Sequence, residues 1–393
     1  MKILIVAIVG LIVLLGGLFV IAFPAMGTSP GDEEKNRLKK SAQYNPQKHE
    51  FQNRIPDVLE KMRKEAMSAG TLIEFFAGGK GREPAKRLPE VKPDLQEFLK
   101  PSDKLKVIWM GHSTFLLNLS GKIILVDPVF SGSAAPVSFM VKRFQPPPLS
   151  LSELPKIDVI VISHDHYDHL DMQAIKFFAD KDVPFLTPLG VGAHLRGWGI
   201  ADSRISEFDW WQGTTLDGVE FIATPAQHFS GRGLRDGNKT LWASWVIRSE
   251  THNVFFSGDS GYDIHFKQIG DKYGPFEIAF IENGQYNEKW RAVHALPEES
   301  VQAYFDLKAQ RFFPVHWGMF SLAFHSWRDL KAQRFFPVHW GMFSLAFHSW
   351  RHPVDSLVRL AKERGVRIMT PQLGEMVYVD DNYQNVEWWQ DLE

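Results

Sequence analysis

From Lys104 onward the chain alternates short apolar runs with polar, glycine-bearing breaks, a pattern of many ordinary strands rather than of long helices. "LKVIWMG" opens the series. "STFLLNLSGKIILVD" reads as two strands joined at Ser120-Gly121, because two apolar runs flank a two-residue turn signal. "IDVIVIS" is apolar without alternation, which suits a short strand buried on both faces, and it runs directly into "HDHYDHLD". Further strands are predicted at "PFLTP", "VEFIATPAQH", "LWASWVI", "HNVFFSGDS" and "FEIAFIENG", with helices at "DMQAIKFFAD", "PEESVQAYFDLKAQ" and "VDSLVRLAKERG". Strands interspersed with helices predict mixed sheets covered by helices. Polar loops bearing His or Asp follow the strands, so function belongs at those strand ends.

The first hundred residues follow a different pattern. Ile3 to Phe23 is a run of 21 residues without a charge, long enough to cross roughly 30 Å of hydrocarbon as a helix. A cleavable signal core usually runs about 7 to 15 residues and ends at small residues. The run is longer and leads into "PAMGTSP", so residues 1–26 read as a retained membrane anchor, with a signal peptide as the alternative. Residues 27–100 read as a linker and N-terminal arm, containing one helix at "IPDVLEKMRKEAMSAG" that ends on Gly70. Residues 101–380 form the main domain and 381–393 a tail. Lys2 lies on one side of the apolar run and Lys35, Arg37, Lys39 and Lys40 on the other, which leaves periplasmic and cytoplasmic placements both open.

Composition narrows the chemistry. A net charge of −2 without a dense Lys/Arg stripe argues against nucleic acid as a partner. The absence of cysteine removes disulfides, thiolate metal sites and a cysteine nucleophile together. Fifteen histidines are then the notable resource.

Four of the potential ligands fall within six residues, His164, His166, Asp168 and His169. Alternation along an extended segment sends His164 and His166 to the same side, and Asp168 and His169 sit where the chain turns toward the next helix. Imidazole and carboxylate donors without thiolate suit Zn(II), and other divalent transition metals (Mn, Fe, Co) less selectively.

"HDHYDH" resembles the signature of the metallo-β-lactamase fold hydrolases. The chain from about 104 to 375 is similar in particular to the N-acyl-phosphatidylethanolamine-hydrolysing phospholipase D family, through "WMGHSTFLL", "ILVDPVFS", "PKIDVIVISHDHYDHLD", "TPAQHFSGRG", "FFSGDSGY", "HALPEES" and "PVHWGMF". "YNPQKHEFQN", residues 44–53, is a weaker match to the family's N-terminal arm. The resemblance implies an α/β four-layer αββα sandwich, preceded here by the N-terminal transmembrane helix, with two Zn(II) ions at one edge between the sheets. It implies that His164, His166 and His228 hold one metal, that Asp168, His169 and the histidine of "PVHWG" hold the other, and that Asp259 bridges them. Two adjacent cations lower the pKa of a shared water, so hydroxide becomes available as a nucleophile near neutral pH. Asp168 and Asp259 would carry the catalysis with His294, which either protonates the leaving oxygen or holds the substrate, or else merely caps or contacts the helix that begins near Pro297. His112, in "GHSTF", reads as a hydrogen-bonding residue beside the site rather than as a ligand.

The expected reaction is hydrolysis of a phosphodiester in N-acyl-phosphatidylethanolamine or a related phospholipid at a membrane. The anchor and the aromatic loops "FDWWQG", "HWGMFSLAFHSW" and "FMVKRF" favour an amphiphilic substrate. The alternatives are a hydrolase of a lactone or other small ester, and a non-catalytic relative. The last arises because "DLKAQRFFPVHWGMFSLAFHSWR" occurs at 306–328 and again, letter for letter, at 329–351. His316 and His339 therefore compete for one ligand position. Loops at the functional end of a strand tolerate length best and the first copy emerges first, which favours His316.

Overall fold

The computed structural model describes residues 10, 16, 17, 19–66, 83–233, 236–284, 286–320, 349–380 and 382–392. A small hairpin in the N-terminal arm pairs β1 (Tyr44–Asn45) with β2 (Glu50–Phe51). The first large sheet is built from β3 (Lys106–Gly111), β4 (Thr114–Leu119), β5 (Lys122–Val126), β6 (Val159–Val161), β7 (Phe185–Pro188) and β8 (Ile205–Phe208). The second contains β9 (Gly213–Leu216), β10 (Val219–Thr224), β11 (Ser244–Arg248), β12 (Asn253–Phe256), β13 (Ile278–Glu282) and β14 (Phe312–Val315), and β15 (Met376–Tyr378) returns to the first. The strand orders are β15-β3-β4-β5-β6-β7-β8 and β14-β13-β12-β11-β10-β9. β5 to β8 run parallel, as do β12 to β14, and the remaining neighbours are antiparallel.

Side-chain alternation explains the layering. Phe115, Leu117, Ile124 and Val126 of the first sheet share one core with Phe256, Phe280 and Trp245 of the second. Their neighbours Leu116 and Leu125 face the other way and pack with Ile175 and Leu195, which lie on the helices Met172–Phe177 and Gly192–Gly197. On the far side, Val246, Phe255 and Ala279 pack with Phe266, Val301 and Leu357, from the helices His265–Tyr273, Pro297–Asp306 and His352–Arg364. Two sheets buried on both faces and covered by helices make the four-layer αββα arrangement.

The hairpin expected at Ser120-Gly121 is present, with Leu119 opposite Lys122 and both turn residues at positive φ, 55° and 87°, the geometry a two-residue turn between twisted strands demands. The helix in the arm runs Val58–Ala66, and its expected end at Gly70 lies outside the described residues. β8, β9 and β15 went unanticipated because "ISEF", "GTTL" and "MVY" are too short or too polar to stand out as apolar runs.

Among the described residues no helix is long and apolar enough to cross a membrane. Much of Ile3–Phe23 lies outside the described residues, and only its end, within a helix over 19–26, is seen fully. The expected N-terminal span therefore has no support from the fold. Trp210, Trp317 and Phe320 are buried, and the Arg143 guanidinium lies 4.5 Å from the Phe320 ring centre while donating to Val129 O at 2.7 Å. These rings pack inside the fold, Phe139 of "FMVKRF" is exposed, and residues 321–327 of "HWGMFSLAFHSW" lie outside the described residues.

Candidate metal centre

The strands deliver polar residues to one edge of the sandwich, where each element ends and its backbone must leave the ladder. β6 ends at Val161, two residues before Ser163, and the turn that follows carries His164, His166, Asp168 and His169, all buried. His228 comes from the irregular stretch after β10, Asp259 follows β12, and His316 immediately follows β14. Three residues here adopt the left-handed region, His112, Asp127 and His316, with φ of 55°, 39° and 68°. That conformation costs of order 1 kcal/mol or more for a residue with a side chain and is retained where the surroundings impose it. The turn at His316 is fixed by a hydrogen bond from His316 N to His112 O at 3.1 Å. It also depends on Gly284, where a Cβ would lie 1.5 Å from His316 O.

Two four-residue clusters adjoin one another. His164, His166, His228 and Asp259 bring their donor atoms within 4.8 Å of one another, as do His112, Asp168, His169 and His316. In the first, His166 Nδ1 stands 2.9 Å from His164 Nε2 and 3.1 Å from His228 Nε2. Three imidazole nitrogens converging in this way repel unless a proton or a cation lies between them, and the separations approach the roughly 3.3 Å expected of neighbouring ligands on a tetrahedral ion. Asp259 lies between the clusters, with Oδ2 3.0 Å from His316 Nε2 and 3.6 Å from His228 Nε2, and Oδ1 3.2 Å from His169 Nε2. Neither Asp259 oxygen has a hydrogen bond of acceptable direction among the described residues. Buried carboxylate oxygens set among imidazoles without a well-directed hydrogen bond suit cations, so the donors present fit two divalent metal ions.

A second layer fixes the rings. His228 Nδ1 donates to Val293 O at 3.0 Å, which leaves Nε2 with its lone pair for the cluster. Asp127 accepts from His169 Nδ1 at 2.6 Å and from Ser163 through both N and Oγ, and Ser163 Oγ in turn meets His164 Nδ1 at 2.9 Å. Such outer partners orient ligand rings and raise their basicity. Electrostatics follow from burial and from the crowd of charges. Burial lowers the His112 imidazole to about 3, helped by His316. At His316 burial opposes the charged form, but Asp259 and Asp168 outweigh it and raise the group to about 10. Burial also opposes ionisation of Asp259, yet the neighbouring His169 and His316 hold its carboxyl well below the usual range. Paired carboxylates that fix positive charge on imidazoles are sites where a metal cation can replace protons.

His294 is placed at the same edge, its ring 5.1 Å from that of His228 and stacked at 5.2 Å on His316. Its Nδ1 meets Glu282 Oε2 at 2.9 Å, and Ala295 N donates to Glu282 Oε1 at 2.8 Å. The following helix is capped instead by Glu299, which accepts from Leu296 N, so capping is not the role of His294. Glu282 and the role of Asp127 have no explicit place among the residues expected from the sequence. A signal existed: "IILVD" and "IAFIE" each place a carboxylate at the end of a buried strand, as "IVIS" places Ser163 next to the histidines. His112, expected to hydrogen-bond near the site, does so through Nε2 to Asp168 Oδ2 at 2.9 Å. His316 stands in the centre, while His339 lies outside the described residues.

Residues 122–317 match the beta-lactamase superfamily domain. An uncharacterized protein of Mycobacterium tuberculosis is 38% identical over 321 residues, covering 80% of this chain and 79% of that protein. N-acyl-phosphatidylethanolamine-hydrolyzing phospholipase D 1 of Caenorhabditis elegans is 35% identical over 54% of this chain and 64% of its own length. The mitochondrial enzyme of the same description from Saccharomyces cerevisiae is 34% identical over 55% of this chain and 48% of its own. In fold, the chain superposes on a metallo hydrolase from Ignicoccus hospitalis with a TM-score of 0.50 at 19% identity, over 70% of this chain and 98% of that one. Taken with the histidine and aspartate clusters at the sheet edge, these matches establish that the chain belongs to the metallo-β-lactamase superfamily of hydrolases.

Proposed function

We propose that this protein hydrolyses a phosphodiester of N-acyl-phosphatidylethanolamine or a related phospholipid at a dinuclear zinc centre, held near a membrane by its N-terminal segment. The observation that carries the metal chemistry is the pair of adjoining clusters with Asp259 between them. The choice of substrate rests on the phospholipase D relatives. His164, His166 and His228 would hold one ion, Asp168, His169 and His316 the other, and Asp259 would face both. Such a centre supplies a water of lowered pKa and screens the charge of a phosphate.

The remaining work falls to the chain itself. Glu282 fixes Nδ1 of His294 and so leaves Nε2 as the atom that can deliver a proton to the departing oxygen. Asp127 keeps His169 in one tautomer, and the main chain at Val293 does the same for His228. The buried surroundings of these groups exclude water and strengthen every charge interaction among them. Purified protein offered a labelled N-acyl-phosphatidylethanolamine and, separately, a simple lactone tests the substrate class. Release of phosphatidate without lactone opening is expected, and the reverse result would assign a different bond.

A further inference from the structure

His228 occupies a stretch that belongs to neither β10 nor β11, so its main-chain N–H and C=O take no part in a ladder. Both are buried, and buried backbone groups need partners. One side chain from the N-terminal arm, more than a hundred residues away in sequence and outside the matched domain, partners both. Asn53 Nδ2 donates to His228 O at 2.7 Å, and Asn53 Oδ1 accepts from His228 N at 3.0 Å. The same Oδ1 accepts from Trp242 Nε1 at 3.2 Å, and Trp242 Nε1 also reaches Ala226 O at 3.0 Å. The carboxamide thus pairs with both faces of one peptide residue and is locked in orientation by an indole.

We infer that Asn53 is a positioning residue for the first metal cluster, and that the N-terminal arm is thereby part of the catalytic apparatus. Only a side chain with one donor and one acceptor in a plane satisfies both groups of His228. A carboxylate cannot donate to His228 O, and shorter side chains do not reach. The arm is brought to this place by independent contacts. Phe51 is buried, with its N–H donating to Asn238 O at 2.8 Å, and Arg54 forms a two-pronged pair with Asp263, 2.6 Å on each branch. Phe51 is therefore the buried anchor of the arm, the half-exposed Arg54 adds a peripheral pair to it, and Asn53 is the contact that reads the ligand. With the His228 main chain held by Asn53 and its Nδ1 by Val293 O, the ring has one direction in which to present Nε2.

This inference rests on the reading of His228 as a metal ligand, and the experiment separates the two. Zinc content and affinity of the full chain are measured by competition with a chromophoric chelator, and the cobalt-substituted protein is followed by its visible spectrum. Asn53→Asp, nearly isosteric, and Asn53→Ala are compared with Arg54→Met, which loosens the arm without touching His228. The Asn53 variants are expected to lose affinity for one of two ions by roughly ten- to a hundredfold, the range typical of outer partners of metal ligands. The other ion and its share of the cobalt spectrum should be retained, and Arg54→Met should bind both ions as the wild type does. Equal weakening of both ions, or the same loss in Arg54→Met, would overturn the inference in favour of general loosening. Unchanged binding in Asn53→Asp would also overturn it. If Asn53→Ala does not fold, Asn53→Asp alone decides through the same asymmetry. A wild type that binds no metal would instead refute the underlying reading.

Discussion

Glu282 and His294 are the residues whose roles can be separated most cleanly. A carboxylate that positions an acid matters in proportion to how much the leaving oxygen needs a proton. Glu282→Gln and His294→Asn are therefore expected to slow cleavage of an alkyl phosphodiester by about 10²-fold or more, and a p-nitrophenyl ester much less. Steady-state rates on the two substrates check this, and equal losses on both would show that the pair only supports the fold. Asp127 acts differently, because its oxygens hold His169 and Ser163 rather than substrate. The residues legible in the sequence were those clustered within a few positions, His164 to His169, or carried by family motifs. The roles of Asp127, which stands in "ILVDPVFS", and of Glu282 were not, since a lone acid closing a strand gains meaning only when the sheet sets it behind a ligand.

At the scale of elements, the first copy of the duplicated segment supplies β14 and the turn after it. The first copy forms β14 beside β13, with Glu282 opposite Val315, and delivers His316 to the clusters. Ser349 to Arg351, the end of the second copy, lead into the helix His352–Arg364. The C-terminal residues brace the same turn, where Trp317 packs between Trp109 and the Trp388-Trp389 pair. His316→Ala is expected to abolish binding of one metal ion, and His339→Ala to leave metal content unchanged. Zinc analysis of the two variants checks this directly, and equal partial losses would mean that the registers exchange. Gly284→Ala should be as damaging as His316→Ala, because its methyl group would collide with His316 O. A melting experiment should show destabilisation by more than about 2 kcal/mol. The strands that the apolar pattern revealed are the buried ones; β9, with a polar edge sequence, and the three-residue β15 are held by their neighbours more than by their own composition.

At the scale of the whole molecule, the N-terminal segment is joined to the body at several points. Trp198 Nε1 donates to Pro24 O at 2.9 Å, the buried Arg232 guanidinium donates to Ala25 O at 2.9 and 3.1 Å, and Thr28 N donates to His194 Nδ1 at 3.0 Å. Arg232 also holds Asp165 O, within the histidine turn, and Leu170 O, just after it. Removing residues 2–23 is expected to leave metal content and hydrolysis of a water-soluble phosphodiester intact. Removal through Thr28 should cost a further 1–3 kcal/mol or so, because it strips a buried guanidinium of an acceptor. Chemical denaturation of both truncations checks the difference, and identical midpoints would remove the segment from any structural role. Helices, sheets and ligand loops were visible along the chain because each is written locally. The long-range pairings, Asn53 with His228 and Arg232 with Ala25, have no local signature.

The central claim is that Asp259, set between two clusters of imidazole and carboxylate donors, makes this edge a dinuclear hydrolytic centre. The measurement that tests it most directly is hydrolysis of labelled N-acyl-phosphatidylethanolamine by the wild type and by Asp259→Asn, with zinc content determined on the same samples. Two ions and phosphatidate release are expected in the wild type, with joint loss of activity and of metal in the variant. Full activity in Asp259→Asn, or a wild type active without metal, would contradict it.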